Sequence, residues 1–153
     1  MRTKHSKLLE AIGLSIIGFG IAYGLLSLYW LMHDYELPSV KTPIQIVNAN
    51  HEIAIGDRIQ MRMVVDKPIS MQPEGSVFIS CKDGNLVTMV PLITNLPVGK
   101  YVVFNDKYIL PPKVAVGSKC VMNLKYTYQV NPIRTETLQW PTEEFTALPA
   151  RTS

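Results

Sequence analysis

No charged side chain lies between Glu10 and His33, and no proline precedes Pro38, although the 153 residues include 15 basic and 12 acidic side chains and 11 prolines. The missing charge excludes an amphipathic surface helix for Ala11 to Met32, because such a helix shows polar positions every three to four residues. Inside that run the non-apolar residues are Ser15, Ser27 and two tyrosines. Small residues are lacking where it ends. The bulky exit "LYWLMHDYELP" offers no small-x-small site, and the run exceeds the ~7–15 apolar residues of a cleaved signal peptide, so an uncleaved signal anchor is expected. No cysteine stands near the exit, which excludes a lipoprotein-type anchor.

Other scarcities narrow the function. Net charge is +3, yet from His33 onward there are 12 basic and 11 acidic side chains, interspersed. Nucleic-acid binding needs Lys and Arg gathered on one face to displace counterions, so no nucleic-acid partner is expected. There is no Gly-rich phosphate loop and no zinc-ligand spacing. "KDGN" shares the opening of a calcium loop but lacks the later ligands, including the bidentate Glu. Only His33 and His51 follow the apolar run, and neither sits in a nucleophile elbow. A dyad of Cys81 or Cys120 with His51 is disfavoured, because both cysteines fall on an inward strand register. Glu136, Glu143 and Glu144 read as solubilising carboxylates. No catalytic function and no cofactor is therefore expected. An N-x-S/T acceptor is also missing, which fits a non-glycosylating host.

What is present begins with the apolar run itself. Its 22 residues would make a helix of roughly 33 Å, against a hydrocarbon core of about 30 Å. About 110 further residues cannot cover such a helix and also build their own core. A transmembrane helix over 11–32 is expected. Arg2, Lys4 and Lys7 precede it, while His33, Asp34 and Glu36 follow, so the N-terminus is expected in the cytoplasm and the rest outside. Tyr29, Trp30 and Tyr35 cluster at the exit, where amphipathic rings settle among headgroups. Gly13, Gly20, Gly24 and Ser27 follow a three-four spacing on one face and include the GxxxG "GIAYG". That face is a candidate for self-association or for a partner helix.

The chain divides into a cytoplasmic tip (1–10), the transmembrane helix (11–32), a tether (33–42), an outer domain (43–148) and a tail (149–153). No helical periodicity appears after residue 40. "RIQMRMV" sets Ile59, Met61, Met63 and Val65 on one face. "KCVMNLKYTYQV" alternates Cys120, Met122, Leu124, Tyr126, Tyr128 and Val130 with Val121, Asn123, Lys125, Thr127 and Gln129. Such alternation marks half-buried antiparallel strands. Strands are expected near 43–49, 58–66, 76–82, 86–90, 100–104, 119–130 and 133–140, with a tail strand at 144–148. Asp83-Gly84 is a strong hairpin signal. The fold class is thus mainly β: a transmembrane α-helix followed by an immunoglobulin-like antiparallel β-sandwich. A small barrel is the alternative.

"GDRIQMRMVVDKP", an early strand after a Gly-Asp turn, and "VGSKCVMNLKYTYQVNPIRT", a long late hairpin, give the outer part its resemblance. It resembles bacterial and phage immunoglobulin-like sandwich modules over about residues 43–148, at the level of fold. It departs from antibody-type domains in having no Trp in "SVFISC". No function transfers with such a fold.

Cys81 and Cys120 are the only cysteines. Both face inward, at the end of one expected strand and the start of another that neighbours it antiparallel, so the pair is a disulfide candidate in an oxidising compartment. Two reduced, buried cysteines are the alternative. Met61 and Met63 share a face, with Met71 and His51 nearby in sequence, and soft ligands of this kind suit Cu(I). Core packing by flexible methionines is the plainer reading.

The expectation is a single-pass protein of a bacterial inner membrane, or one encoded by a phage, that presents its outer domain to the periplasm for binding or assembly. Its partners would be the bilayer, envelope proteins and, through the helix, a second copy. Periplasmic copper handling is the alternative function.

Overall fold

The computed structural model describes residues 2–33, 35–91 and 97–151, with side chains from Lys7 onward. Asp34, the tail residues Thr152 and Ser153, and the side chains of Arg2 and Lys4 lie outside the described residues. The chain separates into two compact units, Met1–Tyr35 with Val130–Thr135, and Glu36–Gln129 with Glu136–Ser153.

The first unit is dominated by α1 (Arg2–Met32), 31 residues long. It starts nine residues before the expected run at Ala11, because "RTKHSKLLE" contains no Pro or Gly to stop it and several good helix formers. The stretch Lys7–Met32 has a mean hydropathy of 2.0, and none of its most apolar window is buried. Ser15 Oγ donates to the Ala11 carbonyl at 2.9 Å, so the hydroxyl is satisfied within the helix itself. The last carbonyls of a helix have no partner in the next turn. Here the Tyr29 carbonyl accepts from the His33 N–H at 2.9 Å. The Trp30 carbonyl accepts from Asn131 Nδ2 at 3.0 Å, and Asn131 Oδ1 in turn accepts from the Ile133 N–H at 3.0 Å.

The second unit is built from strands. These are β1 (Ser39–Val40), β2 (Gln45–Ile46), β3 (Glu52–Ala54), β4 (Arg58–Lys67), β5 (Glu74–Cys81), β6 (Leu86–Met89), β7 (Gly99–Ile109), β8 (Lys119–Asn131), β9 (Arg134–Pro141) and β10 (Phe145–Leu148). They form two sheets. In the first, β4 pairs with β7 along its length, so β1 and β2 share its other edge. The second runs β3-β10-β8-β5-β6, with β9 also paired to β8. Ile59, Met61, Met63 and Val65 of β4 are buried and alternate with exposed neighbours. Cys120, Met122, Leu124, Tyr128 and Val130 are buried on β8. One cluster of buried side chains draws on both sheets, from Ile46, Ile59 and Met61 to Val77, Ile79, Met122 and Phe145. Burial of each such side chain contributes about 1.5–3 kcal/mol.

Several elements differ from the sequence expectation. The tether contains β1, paired to β4 through Ser39↔Asp66 and Val40↔Val65. The expected strand at 43–49 shrinks to Gln45–Ile46 with a bridge from Ile44 to Thr142. Beyond it, the Asn48 side chain donates to the Arg58 carbonyl (3.0 Å) and accepts from the Gln60 N–H (2.8 Å), replacing strand pairing. β3 was not expected, since three residues are too few for a periodic signal. It lies parallel to β10, so the pairing is not wholly antiparallel. β7 continues to Ile109, past an irregularity in its register with β4. Asn123 breaks the outward polarity of its β8 face. It is buried, with Nδ2 3.3 Å from Ser80 Oγ and Oδ1 accepting from Gln139 Nε2 at 2.9 Å.

Gly75 on β5 has a specific steric role. A Cβ there would stand 2.9 Å from Tyr126 Cε1, on a ring that itself packs against Trp140 with centroids 5.2 Å apart. Gly75→Ala is expected to lower stability by about 1–3 kcal/mol through this overpacking. A denaturant midpoint measured beside wild type checks it, and removing the clash with Tyr126→Leu should make the alanine substitution nearly neutral.

Candidate interaction surfaces

The expected helix face is open. A Cβ at Gly13, Gly20 or Gly24 would meet nothing within 4 Å, so each glycine leaves its stretch of helix accessible to another helix. Ser27 and Gly13 are half-buried, whereas Gly20 and Gly24 are exposed. Leu14, Ile17, Phe19, Ile21, Leu25 and Leu28 are all exposed around the same cylinder. An apolar surface of this extent is stable in lipid or against protein and is costly in water.

The cysteines meet directly across two strands. Cys81 of β5 pairs in register with Cys120 of β8, their Cα atoms are 4.0 Å apart, and a disulfide of 2.02 Å joins them. No thiol remains for nucleophilic or metal chemistry at these positions. Polar bonds converge on the same end of the sheet. The Lys82 N–H donates to the Lys119 carbonyl at 3.0 Å. Glu144 lies 2.6 Å from Lys82 Nζ and 3.4 Å from Lys119 Nζ. The Ser118 hydroxyl donates to Asp83 Oδ2 at 2.7 Å, and the Asn85 N–H to Asp83 Oδ1 at 3.0 Å. Gly84, at φ 84°, lets the turn between β5 and β6 close in the left-handed region. The Ser118 hydroxyl holds the Asp83 carboxyl below its usual range, aided by the Asn85 N–H. Bonding to Lys82, then to Lys119, does the same for Glu144.

The methionine and histidine candidates are separated by burial. Met61 and Met63 lie in the shared core. His51 is at the surface, in a turn (Ala49–His51) where Asn50 and His51 adopt φ of 55° and 53°. Its Nε2 stands 3.7 Å from Glu143 Oε2, which also accepts from the Ile46 N–H at 3.0 Å. Among the described residues no group of three His, Cys, Asp or Glu could hold a metal ion. Met71 lines a small apolar cavity with Met63, Leu124, Tyr126, Tyr128 and Trp140. Its volume is about 60 Å³, room for on the order of two waters. Burial pushes the Tyr126 and Tyr128 hydroxyls up to about 12, so both stay neutral. An open depression of about 640 Å³ lies by Asn48, Glu52 and Arg58, where Asp57 pairs with Arg151 at 3.0 Å.

One surface was not legible in sequence. β7 exposes Val102 and Phe104 on its outer face, beside exposed Val64 of β4. Its alternation is as regular as a buried strand's, so pattern alone does not reveal that its apolar outer residues, Ile109 among them, are exposed.

Compared with known proteins, the chain matches no family model, no curated protein and no solved structure.

Two outcomes follow from the disulfide end of the sheet. Reduction, or Cys81→Ser with Cys120→Ser, should lower stability by about 4 kcal/mol for a crosslink spanning 39 residues. Paired denaturant melts with and without reductant read this directly. Asp83 and Glu144 have depressed folded-state pKa values, so their contribution is present above the unfolded values of 3.8 and 4.5. It is lost as pH falls through the lower folded values. Denaturant midpoints followed down to pH 2 should decline there, and the decline should shrink in Asp83→Asn with Glu144→Gln.

Proposed function

We propose that the chain is a single-pass membrane protein that presents a non-catalytic binding or assembly domain on the outer side of a bacterial inner membrane. The observation that carries this reading is α1: long enough to cross a bilayer, with an uncharged stretch apolar on every side, and with none of its most apolar window buried. A soluble protein would have to cover that surface. Basic residues in the first turns of α1, ahead of its uncharged stretch, and acidic ones after it favour a cytoplasmic N-terminus. The disulfide suits an oxidising compartment beyond the membrane.

The immunoglobulin-like sandwich reading of the second unit draws support from two sheets contributing to one buried cluster. The binding surface on this reading is a sheet edge, since an edge can accept a partner strand.

Expression of the full chain in a bacterium tests the reading. The protein should stay with membranes through alkaline carbonate washing, and a C-terminal alkaline phosphatase fusion should be active. Recovery in the wash, or an inactive fusion beside an active cytoplasmic reporter, would reject it.

A further inference from the structure

We propose that β7 is a self-association edge, at which two copies of this chain pair antiparallel about a two-fold axis at Val103. Among the described residues β7 pairs with β4 alone, so its other edge is open along 11 residues. Folded proteins normally keep open edges short or polar, because unpaired N–H and C=O groups recruit further strands. The other edges obey that rule. β1, β2, β3 and β6 are two to four residues long. β9 is longer, but its exposed residues are Thr135, Thr137 and Gln139. β7 departs from it: Phe104 is 71% exposed and Val102 45%, with Val64 at 43% directly across from Val102 on β4.

The occupant follows from the sequence of the edge itself. In an antiparallel pair centred on Val103, Val102 of one copy faces Phe104 of the other, and Lys100 faces Asp106. Each match occurs twice by symmetry. All four residues lie on the exposed outer register of β7. The window from Lys100 to Asp106 ends where the register with β4 becomes irregular, so a paired copy would use the regular part of the strand. Each copy already holds its charges in place. Lys100 Nζ lies 2.9 Å from Asp66 Oδ2, and Arg58 donates to Asp106 Oδ2 at 3.1 Å. Association would extend these into two rows of alternating charge, Asp66, Lys100, Asp106 and Arg58, crossing four strands. Between the rows, Val64, Val102 and Phe104 of both copies would adjoin. Cross-strand aromatic–aliphatic and opposite-charge pairs are the units that stabilise such a junction. The contact is independent of whether α1 crosses a bilayer.

The test uses the full chain in detergent micelles, with donor- or acceptor-labelled copies and energy transfer read across a dilution series. Wild type should show concentration-dependent transfer. Lys100→Asp alone and Asp106→Lys alone each place like charges opposite one another twice, and each should weaken association roughly tenfold or more. An equimolar mixture of the two variants should restore it, because the new aspartate of one copy then faces the new lysine of the other. Restoration in the mixture also shows that both variants fold. Phe104→Glu gives an independent route to the same loss, with circular dichroism reporting its fold. Monomers at every concentration would overturn the proposal. So would association insensitive to all three β7 variants but lost in Gly20→Leu with Gly24→Leu, which would move the contact to the helix.

Discussion

The register of β8 against β5 is the constraint on which the second unit depends. β8 is the longest strand and pairs with β5 on one edge and with β9 and β10 on the other. Its buried side chains reach the core only in one register. A slip of a single residue would turn Cys120, Met122 and Leu124 to the outside and bring Val121 and Lys125 in. The pair Cys81↔Cys120 closes the sheet at one end of this register, and the bonds from Lys82, Asp83 and Glu144 tie the neighbouring turn to the same place. Once β8 is set, β10 is placed beside it by Phe145↔Cys120, and β3 beside β10 by Ile53↔Ala147.

Helix α1 obeys a different rule. Its stability does not come from burial against neighbours, since none of its most apolar window is buried. Internal backbone bonds satisfy its polar groups, and the Ser15 hydroxyl turns back to the carbonyl of the preceding turn. Such a segment is self-sufficient in hydrocarbon and unstable against water. At its last turn the Asn131 amide supplies a donor that the helix lacks, so residues 130–135 belong with it as one unit.

The sheets balance closure against exposure. Short strands and polar side chains occupy most edges, while β7 is long and exposes Val102 and Phe104 on its outer face. An edge of this kind has a cost in solubility unless something pairs with it. The self-complementary order of Lys100, Val102, Phe104 and Asp106 gives that feature a use.

Read alone, the sequence determined the long apolar helix and most of the strands. Charge exclusion over 22 residues and strict alternation in "RIQMRMV" and "KCVMNLKYTYQV" are local patterns with one physical interpretation each. It also brought Cys81 and Cys120 forward as a pair, from their shared inward register. Tertiary structure decided what short or non-periodic residues do. β1 and β3 exist because β4 and β10 offer them partners, a long-range effect absent from two or three residues. Met61 and Met63 were separated from His51 by burial, which no spacing reports. Asn123 keeps its outward register but is buried there, bonded to Ser80 and Gln139, which the alternation does not foretell. Which strand would be left at an open edge was likewise settled only by the pairing of all the others, because an edge is a property of the whole sheet and not of the strand that forms it.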